Sequence, residues 1–363
     1  MHRRNRRHTL CFYLAITLIL SISASLILII TTNKGRNFPL NTDRTSTIAD
    51  RTVLFVRTSH NCQSRLKYLL QSWIPTNLFE QNNLYLITDY VSKNPSDLNL
   101  FDSFQNIFQT NCPQTHNRYD LCCKTAHEFQ LFYNLSSRKK NLEWMCRFDD
   151  DQYVNLDNLY KYLNELNASQ PHYIGRTSIT GRLAVKDDSR TYTFATYGAG
   201  VCFSRRLLHQ LRPYTDVKVL PKGCIHRGIS DDAYIGYLVE LHLNISLTSV
   251  NDLLHSHLEK LDESFRYFNL YDLTRFISVG FAWDRYKLDW LPVIHQLIRL
   301  VQRNETEAAT RLWLFLRNYE KEHPENLTNQ YDQSCLSYQK LRNQSIELRL
   351  KKTEKINRNP TNT

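Results

Sequence analysis

The sequence predicts an α/β fold, and three observations carry that expectation. Short β-branched and aromatic runs recur, stretches with helical spacing separate them by short connections, and carboxylates gather where the strand-like runs end. RTVLFVRT (51–58) is the first such run and reads as a buried strand. SRLKYLLQSWI follows with Leu66, Leu69, Leu70 and Trp73 at helical spacing, and Pro75 stops it. NLYLITD (83–89) is a second strand, ending on Asp89. A helix around 120–136 leads to a third strand, LEWMCRF, and then to Asp149, Asp150 and Asp151. LDNLYKYLNELN reads as an amphipathic helix and HYIGR as another strand. Such alternation implies right-handed crossovers, and ligands bind beyond the carboxyl ends of strands in such sheets. Asp89 and the Asp triplet are therefore expected at one crevice. Past residue 283 the texture changes: 288–302 and 305–319 read as helices, and a charged, asparagine-rich tail reads as disordered. No repeat is present, and with nine glycines there is no dinucleotide or phosphate-cradling loop.

The amino end sets the expected compartment. Residues 10–30, LCFYLAITLILSISASLILII, carry no charge and suit a membrane-crossing helix. Arg3, Arg4, Arg6 and Arg7 precede them, which predicts a single-pass anchor with a cytoplasmic amino end. A cleaved signal peptide is the competing account, and TTNKGRN lacks a clean cleavage site for it. Six N-x-Ser/Thr sequons, at Asn134, Asn167, Asn244, Asn304, Asn326 and Asn343, agree with a lumenal body. Outside the apolar run eight of the nine cysteines remain, an even number that suits disulfides. The formal charge of +11 is concentrated at the two ends. No basic stripe interleaved with aromatics appears, so nucleic acid is not an expected partner.

Four stretches hold groups able to do chemistry. In CRFDDDQYVN, three adjacent carboxylates stand at the lip of a strand, an arrangement that is costly without a counter-charge. Read blandly it is a polar turn; read chemically it holds Mg²⁺ or Mn²⁺ bound to a diphosphate, which in a lumenal protein means a nucleotide-sugar. In HSHLE, alternation puts His255 and His257 on one side of an extended segment, as a surface feature or as part of a metal-ligand set. In SDDAYIGYLVE, Asp231 and Asp232 precede an apolar helical run, either as caps or with one of them as a general base. In FATYGAGVCFS (194–204), Gly198 and Gly200 lie in a strand-like run and imply close approach of the backbone to a ligand or to a packed neighbour.

Taken together, WMCRFDDDQYVNL (144–156), HYIGR (172–176), FATYGAGVCFSR (194–205), SDDAYIGYLVE (230–240) and HSHLE (255–259) resemble the Fringe family within the inverting β-1,3-glycosyltransferases. RLKYLLQSWI, LYLITD and NC…LCCKTAHEF match in the same order, so the resemblance covers roughly 51–285. It implies a GT-A-type α/β fold, a single mixed sheet flanked by helices, in a Golgi type II membrane protein with a lumenal catalytic domain. It also implies transfer of a sugar, GlcNAc in the first instance, from a UDP-sugar to an O-linked sugar such as O-fucose on a glycoprotein, with Mn²⁺ or another divalent cation. By the same resemblance Asp89 contacts the uridine, Asp149 the nucleotide, Asp151 and His255 the metal, and Asp150 supports Asp151. Asp232 is the base, Gly198 and Gly200 belong to the donor site, and Cys112–Cys123 and Cys146–Cys202 are disulfides. Cys62, Cys122, Cys224 and Cys335 remain unassigned.

Tyr197 stands where Fringe proteins usually carry a glycine, which predicts crowding of the donor sugar, and KGCIHRGISDD is a longer, more basic approach to the base. The resemblance is not expected to reach past 285. A core-1-type β-1,3-galactosyltransferase or a β-1,3-glucosyltransferase would share these motifs, and an inactive membrane-anchored carbohydrate-binding protein is the reading from a different class. The expected organisation is a cytoplasmic tail (1–9), an anchor (10–30), a stem (31–50), a catalytic domain (51–285), a helical extension (286–345) and a tail (346–363).

Overall fold

TVLFVR forms the strand Thr52–Arg57 (β1), and all six of its residues are buried, as in a strand covered on both faces. The computed structural model describes residues 46–77, 81–89, 100–114, 117–185, 189–256, 269–280 and 290–322. The expected anchor at 10–30, His257 and the tail after 346 lie outside them. No helix among the described residues is long and apolar enough to cross a membrane.

After β1 comes a 3-10 turn, His60–Arg65, and then Leu66–Leu70 (α1). This helix is shorter than its apolar spacing predicts, because the Trp73 and Ile74 amides both donate back to the Leu69 carbonyl and close it. Leu84–Thr88 (β2) and Ile107–Gln109 (β3) lead to Arg118–Arg138 (α2), whose start is capped by the Asn117 side chain. Trp144–Asp149 (β4), Gln152–Val154 (β5) and Leu156–Asn164 (α3) follow, then Tyr173–Gly175 (β6). A small hairpin, Leu183–Ala184 (β7) and Thr191–Tyr192 (β8), precedes Val201–Ser204 (β9). Next come Arg205–Leu211 (α4), Leu220–Arg227 (α5), Asp231–Tyr237 (α6), Leu247–Ser249 (β10) and Leu254–His255 (β11). Leu270–Arg275 (α7), Ser278–Gly280 (β12), Trp290–Gln302 (α8) and Thr306–Glu322 (α9) complete the described chain.

The central sheet has seven strands in the order β10-β6-β9-β4-β1-β2-β3. Strands β1, β2, β3 and β4 run parallel, while β9 is antiparallel to β4 and β6, so the sheet is mixed as expected. It is not alone, however. The Asp149–Asp151 turn breaks the ladder, and β5 leaves to pair with β12, which pairs with β11 in a second, three-stranded sheet. Runs of two or three residues carry no readable periodicity, so this sheet was not expected.

Alternation along the strands decides what each face does. Leu54 and Val56 of β1 and Trp144, Cys146 and Phe148 of β4 point into a core shared with α1, α3 and α8. In α8, Leu291, Ile294, Leu297 and Ile298 recur at helical spacing, so this helix docks on the same core as β1. Val53, Phe55 and Met145 point the other way, into a core shared with α2, α4, α5 and α6. By parity Arg57, Arg147 and Asp149 belong to that second face.

Cys146 and Cys202 sit directly opposite each other on β4 and β9 and form a disulfide, and Cys112–Cys123 is the second expected bridge. A third, Cys122–Cys224, joins α2 to α5. Cys62 is disulfide-bonded as well, and Cys335 lies outside the described residues. Two exposed sequon asparagines, Asn244 and Asn304, adopt left-handed backbone with φ of 55° and 59° at helix ends, a conformation asparagine tolerates better than other non-glycine residues.

Candidate active site

Because β1, β2 and β4 are parallel, their carboxyl ends meet at one edge of the sheet, with Arg57 in register with Asp149. A cavity of about 280 Å³ opens there. Asp149, Asp150, Asp151, Asp231, Asp232 and Gly198 all line it, so residues more than 80 positions apart are gathered in one place. Asp89, Gly200 and His255 are not among its lining residues.

The three members of the triplet are unequal. Asp149 is partly exposed, and its Oδ1 accepts from Arg147 Nη2 at 2.5 Å. Asp150 is buried and turned inward, accepting from Thr58 Oγ1 at 2.6 Å and from Arg65 Nη1 at 2.8 Å. Asp151 lies 3.7 Å from the same Arg65 nitrogen. Burial, with Asp149 and Asp150 beside it, pushes its carboxyl up to about 7 against the opposing effect of Arg65. A negative charge so placed favours a cation next to it.

The pair at the start of α6 divides its work too. Ser230 holds the N-cap position, so neither aspartate is the cap. Asp231 is buried, and its Oδ2 accepts from Arg57 Nη1 at 2.9 Å and Thr125 Oγ1 at 2.6 Å. Burial alone would raise its carboxyl, but Arg57 and Arg147 outweigh burial and hold it below the usual range. Asp232 is half-buried and lines the cavity. Its Oδ1 accepts from Ser230 Oγ at 2.5 Å and from the Ala233 amide at 2.8 Å. Burial first, and then the charge on Asp231, raise it to about 6. A carboxylate fixed through one oxygen, with a raised pKa and facing a cavity, is equipped to take a proton.

Beneath these acids lies a buried charge network that sequence reasoning missed. Arg57 Nε donates to Glu128 Oε1 of α2 at 2.7 Å, and Arg57 Nη2 donates to Thr125 Oγ1. Arg147 Nε lies 3.4 Å from Glu128 Oε2, and its guanidinium covers the Tyr197 ring with Cζ 4.4 Å from the centroid. The available signal was an arginine at or near the end of an otherwise apolar run in both TVLFVR and WMCRF. Such a residue is placed by alternation inside the protein, where it needs an acid.

Asp89 is fully occupied within the protein. Its Oδ2 accepts from Lys124 Nζ and Ser59 Oγ, both at 2.7 Å, and its Oδ1 from the His60 amide at 3.0 Å. It thereby fixes the loop after β1, while Lys124 itself lines the cavity. Gly198 lies in a 3-10 turn, Tyr197–Ala199, rather than in a strand. Gly200 has φ +87°, and a Cβ there would come within 2.4 Å of the Phe148 ring, so packing of β9 on β4 requires the glycine. Tyr197 is buried, and its ring lines the cavity against Arg147.

His255 is buried in β11, packed against Phe276 with ring centroids 4.2 Å apart, and its Nδ1 lies 3.4 Å from Arg176 Nη1. Burial and then Arg176 lower it to about 4, so it is a neutral imidazole, the form that ligates metal. In the small sheet His255 is in register with Val279, which is in register with Tyr153, two residues past Asp151. One carboxylate with an unfavourable charge and one neutral imidazole fit a divalent cation such as Mn²⁺ in donor chemistry. Cys112, Cys123 and His127 also lie within 4.8 Å of one another, but the two sulfurs are bonded to each other and offer no thiolate.

A family model described as Fringe-like matches residues 48–363. The match runs past 285, further than the sequence motifs alone reach, and takes in α8 and α9. The chain is 35% identical over 208 residues to the β-1,3-N-acetylglucosaminyltransferase lunatic fringe of Gallus gallus, covering 55% of this chain and 53% of that protein. It is 34% identical over 224 residues to the lunatic fringe enzyme of Danio rerio, covering 59% and 56%. To the Fringe glycosyltransferase of Drosophila melanogaster it is 39% identical over 166 residues, covering 43% and 39%. The chain thus spans about half the length of the curated relatives it matches.

Proposed function

Because the chain belongs to the Fringe-like family, we propose that it is an inverting glycosyltransferase that moves GlcNAc from a UDP-sugar to a hydroxyl of an O-linked sugar such as O-fucose, forming a β-1,3 linkage. The observation that carries this reading is the gathering of Asp149–Asp151 and Asp232 around one cavity. In the proposed step, Asp232 takes the proton of the acceptor hydroxyl as that oxygen bonds to the anomeric carbon, and the bond from that carbon to the diphosphate breaks. Ser230 and the Ala233 amide hold the base by one oxygen. The Arg57 ion pair keeps Asp231 charged, and that charge raises the basicity of Asp232. Asp149 faces the nucleotide, and Asp151 with His255 would hold the cation. When bound, Mn²⁺ would neutralise charge on the departing UDP.

The uncharged run at 10–30 and the sequons support a type II Golgi membrane protein with the acceptor glycoprotein on the lumenal side. A panel of UDP-sugars with Mn²⁺, offered with O-fucosylated peptide and scored for transfer and hydrolysis, tests the reading. UDP-GlcNAc should give the fastest transfer. Preference for UDP-galactose or UDP-glucose would shift the donor, and no turnover with any sugar would remove the enzymatic reading.

A further inference from the structure

Arg147 has more donor capacity than the protein around it uses. It is 1% exposed and lines the cavity. Its Nη2 donates to Asp149, its Nε lies 3.4 Å from Glu128 Oε2 without forming a hydrogen bond, and Nη1 is likewise buried with no hydrogen-bond partner among the described residues. A guanidinium cannot relieve that position by losing its proton, and a buried donor left unsatisfied is destabilising. Nη2 is used within β4 itself, on Asp149, and the link to α2 is only the ion-pair contact between Nε and Glu128, so the protein leaves Nη1 unused.

Two features keep the group aimed. The Tyr197 ring lies against the guanidinium and restricts its plane. The strand parity that brings Asp149 and Arg147 to one face also sets Arg147 near α6, where its positive charge helps hold Asp231 low and opposes the net rise of Asp232. The side chain therefore sits at the floor of the cavity, between the residue assigned to the nucleotide and the proposed base.

We propose that Arg147 Nη1 donates to an oxygen of the bound donor, so that Arg147 is a donor-binding residue. This rests on the UDP-sugar reading above. The required chemistry is an acceptor oxygen carrying full or partial negative charge, either on the diphosphate or on a substituent of the sugar. Arginine suits the position because its planar fork serves Asp149, Glu128 and a ligand at once, which an ammonium cannot do.

The test is calorimetric titration of the full-length protein, in detergent with Mn²⁺, using uridine, UDP and UDP-GlcNAc. Arg147→Lys keeps the charge and removes the guanidinium fork, Nη1 with it. If the oxygen is on the diphosphate, UDP and UDP-GlcNAc should both weaken about 10-fold or more while uridine is unchanged, the loss expected from one charge-assisted hydrogen bond. If the oxygen is on the sugar, only UDP-GlcNAc should weaken, with KM for the donor rising more than kcat falls. Wild-type affinity for all three, or an equal loss for all three including uridine, overturns the proposal. Should Arg147→Lys fail to fold, Arg147→Gln/Asp149→Asn, which balances the charge lost at both positions, is compared with Asp149→Asn alone for the same three ligands. Wild-type protein that binds neither UDP nor UDP-GlcNAc would instead defeat the UDP-sugar reading, and this inference with it.

Discussion

On one face of the central sheet, Leu54, Val56, Trp144 and Phe148 meet the apolar sides of α1, α3 and α8. On the other, Arg57, Arg147 and Asp149 rise from the same two strands into a group of charges completed by Glu128 and Asp231. Every second residue of β1 and β4 thus serves cohesion, and the residues between them end in chemistry. Buried ion pairs are a poor way to stabilise a sheet, since desolvation offsets much of their attraction. Along β1 and β4 themselves these charges lie on the face that carries the proposed base, and the apolar face supplies the stability that lets the charged one persist.

The charged face is most sensitive at the proposed base. Asp232→Asn should lower kcat by roughly 10²–10⁴-fold, the usual worth of general base catalysis, with UDP affinity by calorimetry unchanged. Near-normal turnover would take the base assignment away. Glu128→Ala leaves Arg57 and Arg147 without their shared acid and should cost about 3–5 kcal/mol in denaturant unfolding. It should also depress turnover of the remaining folded enzyme, because the strand ends lose their alignment. Leu297→Ala, on the apolar face, should cost a comparable ~2–5 kcal/mol while folded enzyme turns over normally. A fall in kcat at Leu297 would show that the two faces are not separable.

Smaller effects sharpen the same division. Asp232 must be unprotonated to act, and burial with Asp231 raises it to about 6. Turnover should therefore be low below that pH, rise through about 6 and level off above it; a rate independent of pH from 5 to 8 would contradict this. Ser230→Ala removes a hydrogen bond that favours the ionised form of Asp232, so the midpoint of that rise should move upward. Its effect should be visible near the midpoint and fade at higher pH. An unshifted midpoint would mean that Ser230 does not set the base.

Much of this was readable from local pattern. β1, β2 and β4 follow their apolar runs, α2 and the two carboxy-terminal helices lie within a few residues of the expected ranges, and the acids gathered at the cavity stand where strands end and a helix begins. The expected bridges Cys112–Cys123 and Cys146–Cys202 came from family resemblance, and Cys122–Cys224 could not come from spacing, because connectivity is not encoded locally. The charge network escaped for the same reason. Arg57 meets Glu128 across 71 positions and Asp231 across 174, and no window of sequence spans both partners. Asp89 shows the converse limit: its place at a strand end was legible, but its engagement with Lys124 and the Ser59–His60 loop was not.

An inverting transfer from a UDP-sugar leaves its mark directly in the anomeric configuration of the product. Proton NMR of the disaccharide formed from UDP-GlcNAc and an O-fucosylated peptide should show a β-linked GlcNAc at the 3-position of fucose from the earliest time point. An α-linked product, or release of free GlcNAc without transfer, would contradict the account.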